Sequence, residues 1–324
     1  MIVLISILLV IVGIALLAFG ADVLVRGAVT IAKLARIPAA VIGLTIVSMG
    51  TSLPELTVSV AAALKGAPDL GVGNVVGSNI FNIGIVLGLT ALMAPMRVHS
   101  SAVRLEWPFM FIASFQLLLL ARDGVIDRLE GAFFVTGIVL FTAYVVRLGR
   151  SELGAEETAD LRETVAARAR PVAGEALGFA LLLLAGGVSL LVLGGNVLLK
   201  GAIDLATAAG MSERVIGLTI VAAGTSAPEV ATSLVAARRG QSEIALGNVI
   251  GSNIFNILGI LGISALITPL AVSDAMLQGD FVWMLGLSLL LFPLMRSGSV
   301  VTRAEGGVLV AAYGTYLTLL LLNG

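Results

Sequence analysis

Ten apolar stretches dominate this sequence, each close to the roughly 17–25 residues that an α-helix needs to cross the hydrocarbon core of a bilayer. They predict membrane-spanning helices near residues 2–21, 38–64, 70–93, 103–121, 129–147, 173–199, 213–237, 244–268, 279–295 and 305–322. Hydrophobic residues make up 58% of the chain and charged residues only 12%, against roughly 25% charged in soluble domains. The expected fold class is therefore an all-α integral membrane protein.

The remaining composition removes several classes of function. The net charge is −1, so no basic surface favours a nucleic-acid partner. The absence of cysteine excludes disulfides, thiolate metal sites and cysteine nucleophiles. The sole histidine, His99, lies in a predicted loop, and no H-E-x-x-H motif occurs, so a buried serine would lack a general base. We therefore expect no enzyme activity and no cofactor.

An internal repeat organises the chain. Displacing the sequence by 174 residues aligns Gly43–Leu92 with Gly217–Leu266 without a gap, with 28 identities in 50 pairs. The identities concentrate in two motifs, because GTSLPE at 50–55 matches GTSAPE at 224–229, and GNVVGSNIFN at 73–82 matches GNVIGSNIFN at 247–256. Each copy contains five predicted helices, an odd number, so the second copy must enter the membrane from the opposite side. We predict a first repeat at 1–148, a linker at 149–172 and an inverted second repeat at 173–324.

The distribution of positive charge predicts the orientation. The loops after predicted helices 1, 3, 5, 7 and 9 contain 14 Lys and Arg residues, and the loops on the other side contain 5. Because positive residues are retained in the cytoplasm, we expect the 149–172 linker to be cytoplasmic and both termini to lie outside. The expected location is the cell (inner) membrane, with the lipid bilayer as surroundings and with no obligatory protein partner evident.

The two repeated motifs place polar groups at the midpoints of predicted helices 2, 3, 7 and 8. A carboxylate at that depth costs about 2.5–3.5 kcal/mol on insertion scales, and no Lys or Arg lies in these helix centres to neutralise Glu55 and Glu229. Pro54 and Pro228 each remove a backbone donor, which should free carbonyls around residues 48–52 and 222–226. A bound cation is the expected partner of the two glutamates, with protonation as the competing possibility.

The side chains around these glutamates carry only oxygen ligands. Calcium takes six to eight oxygens at about 2.3–2.6 Å, and such a collection suits a hard cation. Asn79 and Asn253, beside the serines of the second motif, are expected to cap or cross-link helices instead of binding. The candidate ligand side chains are Glu55, Glu229, Thr51, Thr225, Ser52, Ser226, Ser78, Ser252, Asn82 and Asn256.

With these motifs the sequence resembles the cation/calcium antiporter superfamily, most closely the short prokaryotic sodium/calcium exchangers, over essentially all ten predicted helices. The resemblance implies calcium binding by Glu55 and Glu229 beside the Thr51 and Thr225 carbonyls. It also implies sodium sites that use the Thr and Ser residues above and the backbone at Ser48 and Ala222. Several relatives, including potassium-dependent ones, have Asp at the position of Asn256. Because this chain has a neutral Asn there, the charge of the site stays at −2.

The function expected from this resemblance is exchange of sodium for calcium by alternating access at a mid-membrane site, with these two ions as the transported partners. A calcium/proton exchanger is the main alternative, because buried glutamates can also carry protons. The paired Ser and Thr hydroxyls favour sodium. A passive channel agrees less well with duplicated, inverted halves.

Overall fold

The computed structural model describes residues 2–66, 68–156, 172–210 and 222–323, and nearly all of them are helical. The first half contains α1 Ile2–Ala35, α2 Ala39–Ile42, α3 Ser48–Thr51, α4 Leu53–Leu64, α5 Pro68–Phe81, α6 Gly88–Met93, α7 Trp107–Leu120 and α8 Arg128–Glu156. The second half contains α9 Val172–Ala208, α10 Ala222–Thr225, α11 Ala227–Arg238, α12 Ser242–Ile254, α13 Gly262–Ile267, α14 Phe281–Arg296 and α15 Arg303–Asn323.

Wider π-helical turns lie next to several of these helices, and most of them join two helices without a break. π-helical turns often mark functional sites within longer helices. They occupy Gly43–Val47, Asn82–Leu87, Ala102–Glu106, Phe255–Leu261 and Met276–Asp280, and a short 3₁₀ turn occupies Ala121–Asp123.

The predicted all-helical membrane architecture is confirmed. In the part of the chain that the structure describes, eight helices are long and apolar enough to cross a bilayer. A ninth candidate is the segment Ala39–Thr51 followed by Leu53–Leu64, which is bent by 47° at Ser52. The span predicted at 213–237 falls partly on residues 211–221, outside the described ranges, and its remainder forms α10 and α11.

Three helices are longer than the sequence predicted. The expected span ends near residues 21 and 199 are wrong, because the apolar helices α1 and α9 continue to Ala35 and Ala208, whereas the span predicted at 129–147 is confirmed as Arg128–Arg150 within the longer helix α8. In α1, Asp22 and Arg26 lie one turn apart and form an ion pair at 2.8 Å, so these charges are accommodated on the helix surface. Residues 149–156 of the predicted linker are thus helical, and residues 157–171 lie outside the described ranges.

Two spans form the centre of the protein. In the spans Asp69–Met93 and Ser242–Ile267, 78% and 83% of the most apolar window is buried, against 17–28% in the other single-helix spans. These central spans contain the GSNIFN motif of each repeat. The motifs are therefore located where the protein is most closely packed.

The long helices α1 and α9 run antiparallel and pack through glycines. Gly13, Gly20 and Gly27 recur every seven residues in α1, and an added Cβ at Gly13 would lie 2.6 Å from the backbone nitrogen of Leu198. Gly187, Gly194 and Gly201 repeat the pattern in α9 and likewise face the α1 backbone. Small residues at helix contacts let backbones approach closely in membranes.

Two short antiparallel strand pairs join loops of the two halves. β1 (Met96–Arg97) pairs with β4 (Val300–Val301), and β2 (Val125–Ile126) pairs with β3 (Leu270–Ala271). Each pair therefore contains one strand from each half, with equivalent register. These pairs place the loop before α7 beside the loop before α15, and the loop before α8 beside the loop before α14.

Two ion pairs group further loops. His99, which follows β1, lies 2.7 Å from Glu243 at the start of α12. Asp22 of α1 forms a second ion pair with Arg239, which follows α11. The loops after α6, α11 and α14 therefore lie at one end of the molecule, together with the C-terminal half of α1.

Candidate ion-binding site

Two broken helices place the glutamates. Ser52 has φ −84° and ψ 12° between α3 and α4, and Ser226 has φ −88° and ψ 9° between α10 and α11. A proline follows each break, and Glu55 and Glu229 stand in the first turn of α4 and α11. Anionic groups are stabilised at helix N-termini by the unpaired N–H groups and the helix dipole.

Each glutamate is held by a serine of the other repeat. The Ser226 hydroxyl donates to Glu55 Oε1 at 3.0 Å, and the Ser52 hydroxyl donates to Glu229 Oε1 at 2.9 Å. Thr225 and Thr51 are also hydrogen-bonding neighbours of Glu55 and Glu229, respectively. The motifs of the two repeats thus form one site, in which each half supplies donors to the carboxylate of the other.

Five buried oxygens at this site have no hydrogen-bond partner among the residues that the structure describes. They are Glu55 Oε2, Glu229 Oε2, Asn82 Oδ1, Asn256 Oδ1 and Ser252 Oγ. Every one of these side chains is at most 1% exposed. An unsatisfied buried polar atom costs about 1–3 kcal/mol, and more if it is charged, so such a cluster of acceptors requires donors or a cation.

The charge of the site is not balanced by the protein. The ion pairs among the described residues join Asp22 to Arg26 and Arg239, and Glu243 to His99, and none of them involves the two central glutamates. Glu55 and Glu229 are close enough to repel each other electrostatically. With both ionised, the site carries a charge of −2 and would attract one divalent or several monovalent cations.

The remaining candidate residues lie at the same place, with one exception to the expected backbone geometry. Ser78 Oγ lies 3.4 Å from the Ser226 hydroxyl, and Thr51 Oγ1 lies 3.1 Å from Asn248 Oδ1. The expectation that the Ser48 carbonyl is freed is wrong here, because it accepts from the Ser52 N–H at 3.0 Å and the Thr51 hydroxyl at 3.2 Å.

The carbonyl that Pro54 deprives of its helical donor is that of Gly50, four residues earlier. Ala222, the corresponding position in the second half, is the first residue of α10, and its side chain lies outside the described set.

The sequence interpretation missed two further asparagines beside the site. Asn248 Nδ2 donates to Ser233 Oγ at 3.0 Å, and Asn74 Nδ2 donates to Ser59 Oγ at 3.1 Å in the other half. Asn74 also donates to the Glu55 carbonyl at 3.3 Å. Both asparagines are the second residue of the repeated GN word, so their recurrence at the 174-residue displacement was the available signal.

Comparison with known proteins agrees with this geometry. The family model for sodium/calcium exchanger proteins matches residues 5–148 and 179–322, which together cover most of the chain and both halves separately. The chain belongs to the sodium/calcium exchanger family. Members of this family are membrane transporters, and the family match to each half parallels the internal repeat.

Three similar proteins span almost the whole chain. A putative antiporter, CaxA of Alkalimonas amylolytica, is 40% identical over 98% of this chain and 99% of its own length. The inner membrane protein YrbG of Escherichia coli K12 is 38% identical over 96% of this chain and 95% of its own. A solved structure of the sodium-calcium exchanger NCX_Mj, soaked with zero Na+ and Ca2+, superimposes with a TM-score of 0.83 at 31% identity, covering 98% of this chain and 99% of that one. The chain therefore has the fold of an exchanger of this family.

Proposed function

We propose that this protein is a secondary antiporter that exchanges sodium for calcium at the mid-membrane site. The observation that carries the proposal is the group of five buried oxygens that have no partner within the described ranges, two of them on carboxylates that no cationic side chain of those ranges pairs with. Carboxylate, amide and hydroxyl oxygens are the ligands that Ca2+ and Na+ accept. The likeness to the sodium-calcium exchanger NCX_Mj supports these two ions as the substrates.

In this proposal the ions share one cavity. Glu55 and Glu229 are the anionic ligands of calcium, with the Asn82 and Asn256 oxygens beside them. Binding calcium excludes sodium from the same oxygens, which couples the two fluxes. The other ligands available to the two ions are Thr51, Thr225, Ser52, Ser226, Ser78 and Ser252, and the backbone near Ser48 and Ala222.

We further propose an architecture of ten spans in two inverted five-helix repeats, at 1–148 and 173–324. Reciprocal hydrogen bonds support it, since the Ser226 to Glu55 bond and the Ser52 to Glu229 bond exchange under the 174-residue displacement. The strand pairs support it as well, since β1 corresponds to β3 and β2 to β4, so that the β1–β4 pair in one half-to-half contact is repeated by the β3–β2 pair in the other. Inverted repeats place a transport site between the copies near mid-bilayer.

The membrane orientation in this proposal follows the positive-inside rule. The loops after α6, α11 and α14 lie at one end, and these belong to the Lys- and Arg-rich set of the sequence. That end is proposed to be cytoplasmic, together with the 149–172 linker, and both termini are proposed to lie outside. The inner membrane relative from Escherichia coli supports the cell membrane as the location.

The test is calcium uptake into proteoliposomes loaded with sodium, potassium or choline, with and without a pH gradient. We expect uptake that requires internal sodium, is lost in Glu55→Gln and Glu229→Gln, and is retained in Glu243→Gln, a matched loss of charge in a partly exposed pair with His99. Uptake driven by the pH gradient alone would assign the protein to calcium/proton exchange. Uptake indifferent to both gradients would indicate a channel.

A further inference from the structure

Four asparagines meet where the two central spans cross. Asn79 and Asn82 come from the first half, and Asn253 and Asn256 are their equivalents in the second. Each is 1% exposed, so each amide must find its hydrogen-bond partners inside the protein. A carboxamide has a donating end and an accepting end, so its partners decide which end faces the cavity.

Asn253 determines which end of the Asn82 carboxamide points towards it. Asn82 Nδ2 donates to Asn253 Oδ1 at 3.1 Å, and no described residue donates a hydrogen bond to Asn82 Oδ1. Asn253 is itself oriented, because its Nδ2 lies 3.5 Å from the sulfur of Met110, an acceptor only. The series of contacts from Met110 through Asn253 to Asn82 therefore ends in a buried oxygen that is left available to a ligand.

The second half repeats this arrangement. Asn256 Nδ2 donates to Asn79 Oδ1 at 2.9 Å, and Asn256 Oδ1 has no partner in the part of the chain that the structure describes. Asn79 Nδ2 in turn donates to the Asn253 carbonyl at 3.2 Å and lies 3.8 Å from the sulfur of Met284. Met110 and Met284 are themselves 174 residues apart. The two series of contacts therefore contain the same residue types, and in both the amide next to the methionine accepts from the asparagine of the ion site.

We propose that Asn79 and Asn253 are positioning residues that fix Asn256 and Asn82 with oxygen, and not nitrogen, towards the transported cation. An amide turned the other way would present a positive N–H end to the ion and would leave two acceptors facing each other behind it. The same Oδ1 atoms of Asn79 and Asn253 require a donor at positions 256 and 82, which an ionised carboxylate cannot supply. The arrangement thus keeps these two ligands neutral and the charge of the site at −2. This inference rests on the proposed cation site.

A double-mutant cycle on calcium binding tests the inference. Calcium binding to the purified full-length protein is measured by titration calorimetry in sodium-free buffer for the wild type, Asn82→Ala, Asn253→Ala and the double variant. We expect each single variant to bind calcium at least about tenfold more weakly, as befits loss of a hydrogen-bonded ligand to a charged group. The double variant should bind no more weakly than Asn82→Ala, because Asn253 acts only through Asn82.

The other half of the molecule provides the control. Asn79 holds the Asn256 side chain and touches Asn253 only at its backbone carbonyl, so Asn79→Ala should weaken calcium binding further in the Asn82→Ala background, unlike Asn253→Ala. Met110→Leu keeps the core volume and leaves Asn253 in place, and it should weaken binding about two- to fivefold in the wild type and not at all in Asn82→Ala. This milder variant keeps the test decisive if Asn253→Ala does not fold.

The positioning role would be overturned if the losses of calcium affinity in Asn82→Ala and Asn253→Ala multiplied in the double variant. Wild-type calcium affinity in Asn253→Ala or in Met110→Leu would overturn it as well. The proposed exchange would fail separately, in a protein that binds calcium with this coupling pattern but transports it without sodium.

Discussion

Replacing Gly247 with Ala should disturb both the stability and the ion site. Gly247 is in α12, where the helix crosses the segment that leads into α3. A Cβ at this position would lie 2.7 Å from the Ala40 carbonyl oxygen and 3.0 Å from the Leu44 nitrogen. The approach is reciprocal, because a Cβ on Gly43 would lie 2.8 Å from the Ile244 carbonyl oxygen. All these neighbours are backbone atoms, so no side-chain rotation can relieve the clash.

The expected size of the effect follows from these distances. Carbon atoms pack without repulsion at about 3.5 Å, so α12 and the α2 segment must separate by roughly 0.5–0.8 Å. Inserting a methyl group into a packed interior typically costs about 1–3 kcal/mol of unfolding free energy. The displaced segment leads to Ser52, whose hydroxyl donates to Glu229 at 2.9 Å, so the shift also loosens one ligand. We expect calcium binding to weaken by about two- to tenfold, the equivalent of one neutral hydrogen bond.

Thermal unfolding in detergent and calcium titration of the same preparation would measure both effects. Gly286→Ala in α14 is the matched control, since no atom of the described residues lies within 4 Å of a Cβ there. The control should keep the wild-type calcium affinity and an unfolding midpoint at or above that of the wild type, because Ala favours a helix over Gly by about 1 kcal/mol. A Gly247→Ala protein with an unchanged unfolding midpoint and unchanged calcium affinity would refute the reasoning, and so would an equal loss in Gly286→Ala.

Three smaller changes should affect stability through distinct interactions. Asp22→Asn removes the ion pairs of Asp22 with Arg239 and with Arg26. Asp22 is 24% exposed and the two arginines are 38% and 59% exposed, so the loss should be about 0.5–1 kcal/mol in thermal unfolding and should disappear in about 0.5 M salt. Trp107→Phe removes the indole bond to the Ser288 carbonyl at 2.7 Å, and we expect a loss of about 1 kcal/mol in unfolding with unchanged calcium affinity by calorimetry. Asp127→Ala removes the side-chain cap at the start of α8 and should cost about 0.5–2 kcal/mol, measured as a lower unfolding midpoint; an unchanged midpoint would count against the cap.

The internal repeat made much of the fold accessible from the sequence. The apolar stretches predicted a helical membrane protein, and the repeat singled out Glu55 and Glu229 as buried carboxylates, because duplicated polar motifs inside apolar segments are visible without coordinates. The lengths of α1 and α9 were not accessible in the same way. Asp22 and Arg26 resemble the end of an apolar run, yet they pair along the helix surface and the helix continues to Ala35.

The pairing within the site depends on how the two halves cross, which the sequence does not encode locally. Ser52 is three residues from Glu55, but its hydroxyl donates to Glu229. The Ser48 carbonyl was expected to be free because of Pro54, and yet a local hydroxyl and a local N–H occupy it. A proline affects only the carbonyl four residues before it, so the neighbouring carbonyls depend on the actual path of the chain at the break.

The reciprocal bonds at the centre have a consequence for synthesis of the chain. Glu55 and Asn82 are made early, whereas the groups that bind them, Ser226 and Asn253, follow 171 residues later in both cases. A ribosome therefore delivers the first half to the membrane with its polar centre unsatisfied, and folding of that half must wait for the second. Two separately expressed halves should accordingly accumulate only when they are produced in the same cell.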